Sequence, residues 1–139
     1  MTVEMRLEAL VLPVADVDRA KDFYTGVGFD LDVDHQPNDD FRVVQFTPPG
    51  SPCSIIFGTG LGETAQSPVR GMHLVVTDIE AAVADLVGRG VVPGSIFHIT
   101  PDGTFDGVDP HRTDYGSYSA FDDPDGNGWV IQERGYSPG

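Results

Sequence analysis

Apolar and polar positions along the chain trace the same strand-then-helix pattern twice. Leu10, Leu12 and Val14 fall on one side of a short strand and Ala9 and Val11 on the other, since successive strand side chains point to opposite faces. Met72, Leu74 and Val76 repeat that arrangement against Gly71, His73 and Val75. Each run ends on an aspartate, Asp16 or Asp78, a residue type that caps a helix by accepting from its first unpaired N–H groups. Beyond the caps, Val17, Ala20, Phe23 and Val27 recur at helical spacing, as do Ile79, Ala82, Val83 and Leu86. Gly28 and Gly90 each stand twelve positions after the Asp, where a glycine suits a helix end.

The second halves of the repeats also correspond. Thr47–Ser54 aligns without a gap on Asp123–Val130, and both are turn-rich segments leading into the apolar strands Ser54–Phe57 and Val130–Gln132. Phe41–Phe46 and Ser117–Phe121 are their expected strand partners. Asp16 and Gly50 lie 34 positions apart, whereas Asp78 and Gly126 lie 48 apart. The extra residues belong to Thr100–Gly116, rich in Gly, Asp and Pro, which is expected to be an ordered loop or lid. Leu61–Val69 joins the repeats without marking a domain boundary, because neither half is expected to bury its sheet face alone. The expectation is one α+β domain over residues 1–139, with repeat one at about 5–58 and repeat two at about 70–134.

Composition narrows the class. A chain of 139 residues has room for one domain, and 40% hydrophobic residues suffice for a packed core. No apolar run approaches the length that crosses a bilayer, and Met1–Glu8 has no signal-peptide pattern. Cys53 is alone, which excludes an internal disulfide and fits a reducing compartment, so a cytoplasmic location is expected. Eight basic side chains against 22 acidic ones give a formal charge of −14. That balance argues against nucleic acid, whose affinity comes from Lys and Arg neutralising phosphates, and against an anionic membrane surface. Acidic excess serves solubility in the ordinary case; the sharper alternative is attraction of a cationic ligand.

Val14-Ala-Asp16, Phe23-Tyr24, Gly26-Val-Gly28-Phe29 and Asp123-Pro-Asp-Gly-Asn127, in that order and combined with the internal repeat, resemble the vicinal oxygen chelate superfamily. That group includes glyoxalase I, extradiol dioxygenases, fosfomycin-modifying thiol transferases and bleomycin-binding resistance proteins. The resemblance covers nearly the whole chain. It implies two βαβββ modules forming a partly closed, barrel-like sheet around a cavity, with homodimers common. Metal-dependent members of the family draw His, Glu or Gln ligands from two positions seven residues before each capping Asp and two positions four residues after the Gly of each turn. Carried onto this chain, those positions are Ala9, Gly71, Ser54 and Val130, and none offers an imidazole or a carboxylate. The usual metal site is therefore expected to be absent, with no metal and no cofactor. A displaced site would have to draw on His73, Gln132 and His98. Asp102-Gly-Thr-Phe-Asp106-Gly107 has part of a calcium-loop pattern but Thr113 where that loop needs its last Glu, so chance is the better explanation.

Several residues remain as candidates for ligand contact. His73 lies two past Gly71, on the cavity side by strand alternation; a histidine satisfied by a neighbour is the plain alternative. His98 sits in an apolar strand and faces either the pocket mouth or a strand edge. Gln45 and Gln132, polar groups in apolar strands, need hydrogen-bond partners in the protein or a ligand. Tyr115 and Tyr118 flank the return of the insert, where their rings cover either a planar ligand or the core. His111–Asp114 suggests a surface ion pair, and Ser51 and Ser54 lack the setting of a hydrolase nucleophile. The leading expectation is a metal-free small-molecule binding protein that sequesters its ligand. The alternative is a lyase, isomerase or dioxygenase of the same superfamily, using His73 or His98 as a catalytic base or using the displaced metal site.

Overall fold

Asp16 and Asp78 begin the two helices in the same way. In the computed structural model, which describes residues 2–62 and 64–138, the Asp16 carboxylate accepts from the Arg19 N–H at 3.0 Å and starts α1 (Val17–Val27). The Asp78 carboxylate accepts from the Ala81 N–H at 3.1 Å and starts α2 (Ile79–Gly88). Helix α1 stops at Gly28, whose φ of 98° is the left-handed conformation that a residue without Cβ adopts cheaply. Helix α2 stops at Arg89, with Gly90 left-handed immediately after it.

The chain divides at Val69 and Arg70 into two compact units. In the first, β1 (Ala9–Val11), β2 (Asp30–Asn38), β3 (Phe41–Thr47) and β4 (Ser54–Thr59) form a sheet of order β1-β4-β3-β2, with β1 parallel to β4. Its core is the α1 side of the sheet. Leu12, Val44, Phe46, Ile55 and Phe57 are buried there with Ala20, Tyr24 and Phe29. The Tyr24 ring lies 5.6 Å from Phe29, 5.9 Å from Phe57 and 6.0 Å from Phe46, within ordinary aromatic packing distance.

In the second unit, β5 (Met72–Val76), β6 (Phe97–Thr100), β7 (Gly103–Asp106), β8 (Ser117–Asp122) and β9 (Gly128–Glu133) take the order β5-β9-β8-β6-β7. Met72, Ile79, Leu86, Phe121, Trp129 and Ile131 are buried, and α2 packs on β8 and β9. Strand for strand this is the order of the first unit with β7 added, so both units are βαβββ modules of an α+β fold. Each sheet keeps two edges, β1 and β2 or β5 and β7, so neither closes on itself as a barrel.

Two strands had no counterpart in the apolar pattern. β2 is exposed throughout and carries Asp30, Asp32 and Asp34 at alternate positions. It is an edge strand, where charge is an asset because it discourages pairing with another chain. β7 lies inside Thr100–Gly116, so that segment opens as a hairpin on β6 and becomes a loop only from Gly107. The fragment Asp102–Gly107 is the turn and strand of that hairpin, which accounts for its Gly and Asp. No helix among the described residues is long and apolar enough to cross a membrane.

Candidate functional site

The sheet of the second unit buries one face under α2 and leaves the other open. Trp129, Ile131 and Glu133 of β9 turn toward the helix side and are buried, so Val130 and Gln132 point to the open side. The register carries that face across the sheet. Gln132 lies between Val75 of β5 and Tyr118 of β8, and Tyr118 in turn opposes Phe97 of β6. One residue row away, Val130 lies between His73 and Ala120. Phe97 and Tyr118 stack with ring centroids 5.4 Å apart and planes 16° apart. The open face thus presents an imidazole, a carboxamide and a pair of stacked rings on four adjacent strands.

His73 is exposed, and its Nδ1 lies 2.6 Å from the Gly71 carbonyl oxygen. A carbonyl only accepts, so Nδ1 carries the proton and Nε2 of the neutral ring presents a lone pair. For Gln132 and Gln45, no hydrogen bond ties the side-chain amide to a protein group among the described residues.

The other candidates separate from this group. His98 opposes Ser117, a buried residue of the helix side, and so faces away from Tyr118. Its Nδ1 is 2.7 Å from the Gly107 carbonyl and its ring stacks on Phe105, which ties β6 to the hairpin and the start of the loop. Tyr115 lies on the loop at φ 62°, its N–H donating to the Glu133 carbonyl and its ring 5.8 Å from the Arg134 guanidinium. Gln45 belongs to the first unit, where it opposes Ile56 and Val33 on the open face of that sheet.

The register also corrects one pair of positions read from spacing. Ala9 and Ser54 are direct partners in β1 and β4. Val130, however, is opposite His73, and Gly71 precedes β5 in a left-handed conformation. The cause is connection length. Four residues, Leu12–Ala15, separate β1 from its capping Asp16, whereas Thr77 alone separates β5 from Asp78. Counting back seven from each Asp therefore overshoots by two in the second unit. The residue standing to Val130 as Ala9 stands to Ser54 is an imidazole. Among the described residues no three His, Cys, Asp or Glu side chains gather as a metal site.

Sequence reasoning missed two polar clusters. On the open face of the first sheet, the Thr47 hydroxyl donates to the Asp32 carboxylate and lies 2.6 Å from the Ser54 hydroxyl. Asp32 reaches Thr47 because the β2–β3 register shifts between Leu31 and Val33, and an irregularity of this kind re-aims a side chain. In the second unit, Glu133 is fully buried and accepts from Arg112 Nε at 2.8 Å, Arg112 Nη2 at 2.7 Å and the Ile79 N–H at 3.0 Å. Hydrogen bonding from Arg112 holds the Glu133 carboxyl below the ordinary glutamate range. Arg112 also reaches Glu80 at 3.0 Å and lies 3.5 Å above the Tyr136 ring. Within His111–Asp114, where a surface ion pair had been expected, Arg112 pairs with the exposed Glu80 and also ties the loop to the buried Glu133 carboxylate. His111, Thr113 and Asp114 are exposed. Asp109, also buried, accepts from the His111 and Thr113 N–H groups, which lower its pKa.

Two βαβββ modules, each with one helix-covered and one open sheet face, define the class of protein. A family profile described as Glyoxalase/Bleomycin resistance protein/Dioxygenase superfamily matches residues 6–131. The chain belongs to that superfamily. Among solved structures, TnmS3, an antibiotic binding protein from Streptomyces sp. CB03234, shares 30% identity with a TM-score of 0.71, over 96% of this chain and 98% of that one. A glyoxalase/bleomycin resistance protein from the same organism shares 31% identity with a TM-score of 0.67, over 92% and 100%. A superfamily member from Sphaerobacter thermophilus DSM 20745 shares 27% with a TM-score of 0.70, over 94% and 98%. Comparison with curated proteins gives no match.

Proposed function

We propose that this protein binds a small organic molecule without a metal ion and sequesters it unchanged. The observation that carries the reading is the open face of the second sheet. His73 Nε2 and the Gln132 amide offer directional hydrogen bonds beside the Phe97–Tyr118 stack, and the stack offers area for a planar or apolar group. The description of a 30% identical structure as an antibiotic binding protein supports the same reading. His98 and Tyr115 are less suited to contact such a ligand, since one is tied to Gly107 and the other sits on the fastened loop. Gln45 belongs to the proposal through the first sheet's open face.

A thermal-shift screen of small molecules on wild type and His73→Ala tests this. A ligand that stabilises wild type is expected to bind the variant about tenfold more weakly or worse, as loss of about 1.4 kcal/mol requires. The variant should keep its unliganded melting temperature, because His73 is exposed. Equal shifts in both proteins would exclude His73 from contact with the ligand.

A second reading is kept open by the register of His73. An imidazole opposite Val130 suits a superfamily lyase, isomerase or dioxygenase that uses it as a base or as one ligand of a displaced metal site. Elemental analysis of protein purified without chelator separates the two. A stoichiometric divalent metal lost in His73→Ala would favour the enzyme.

A further inference from the structure

We infer that Asp32, Thr47 and Ser54 form a one-way hydrogen-bond chain whose free end, Ser54 Oγ, receives a donor group of the ligand, most suitably a protonated amine. The inference rests on the proposed binding of a small molecule at the open sheet faces. Proton bookkeeping sets the direction. An ionised carboxylate accepts only, so the single Thr47 hydroxyl proton is committed to Asp32. The Ser54 hydroxyl must then spend its own proton on Thr47 Oγ1, 2.6 Å away. Ser54 Oγ is left with lone pairs alone, at the end of a chain in which each bond polarises the next toward the carboxylate.

The surroundings suit that task. Ser54 is buried, where a second hydrogen bond to its oxygen is strengthened by the low local dielectric, and its direct partner across the sheet is Ala9, whose methyl is the smallest side chain able to stand there. Asp32 supplies a negative charge to the chain through a register irregularity that turns it onto Thr47.

Tryptamine, which carries an ammonium on a short arm, and indole-3-propionate, which carries a carboxylate on a similar arm, are the probes. Each is titrated into isotopically labelled protein and followed by backbone amide NMR at high salt, so that the net charge of the chain is screened. Tryptamine is expected to shift the Ser54 and Thr47 amides and to bind more tightly than indole-3-propionate. Ser54→Ala should weaken tryptamine about tenfold, the cost of one hydrogen bond to a charged group, and leave indole-3-propionate unchanged. Thr47→Val keeps the shape and frees the Ser54 proton, so the preference for the ammonium should fall. Equal binding of the two probes overturns the inference, as does an unchanged preference in both variants or a tryptamine titration that leaves Ser54 unmoved. Shifts at His73 and Gln132 report on the functional reading instead: their loss in His73→Ala, with the Ser54 response intact, keeps the two questions apart.

Discussion

Glu133 puts a carboxylate into the packed side of the second sheet, and its fitness depends on Arg112. Two bonds from the guanidinium and one from the first N–H of α2 occupy the carboxylate, so the burial is compensated. Arg112 reaches that position at φ 49°, and Tyr115 follows at φ 62°, both in the left-handed region that costs a non-glycine residue about 1–3 kcal/mol. The ion pair offsets that strain. Arg112→Ala leaves Glu133 buried and unpaired, and a loss of about 3 kcal/mol of unfolding free energy is expected. Urea denaturation reads it as a lower midpoint with unchanged slope. A loss below about 0.5 kcal/mol would show that water or another group takes over from Arg112. No sequence pattern announced this pair, because Arg112 and Glu133 are 21 residues apart. The one available signal was Glu133 in phase with the inward Trp129 and Ile131.

At the scale of elements, what the chain spells locally was legible and what depends on pairing was not. The capped helices, the strands beginning at Phe41, Ser54, Met72 and Ser117, and the place of the insertion all follow from periodicity and turn residues. β2 escaped because its alternation is charge against apolar on an exposed edge, a pattern that also fits a loop. The position opposite Val130 escaped because register depends on a connection length that no residue type marks. His73 and Gln132 were found by alternation and do share a face, whereas His98 fell on the other face through its pairing with Ser117. Gly58 shows how tightly pairing constrains a strand. A Cβ built on it would meet the Arg42 carbonyl oxygen of β3 at 1.8 Å, so a side chain there forces the two strands apart. Gly58→Ala is expected to cost about 1–3 kcal/mol, the range of overpacking. Hydrogen exchange should show the loss first in β3 and β4 amides. Exchange faster only in the second unit would contradict that assignment.

For the whole molecule, acid sets two effects against each other. The formal charge of −14 shrinks as carboxylates protonate, and self-repulsion weakens toward the sequence pI of about 4.2. The fixed ion pairs act in the opposite sense. Arg42 and Lys21 lower Asp34 in the first unit, Arg112 lowers Glu133, and the His111 and Thr113 amides lower Asp109 in the second. A carboxyl whose folded pKa is depressed contributes its full stability above its unfolded value and loses it as pH falls through the folded value. Those unfolded values are 4.5 for Glu133 and 3.8 for Asp34 and Asp109. Stability should therefore begin to fall below about pH 4.5 and steepen below 3.8, even though net repulsion is smallest near pH 4.2, because the paired groups are held by short contacts that diffuse charge does not match. Glu133→Gln isolates one share of this. It is expected to be less stable than wild type at pH 7 and to lose less on acidification, so that the two urea midpoints converge as pH falls below 4.5. Midpoints that fall in parallel over that range would show that Glu133 does not carry the acid response.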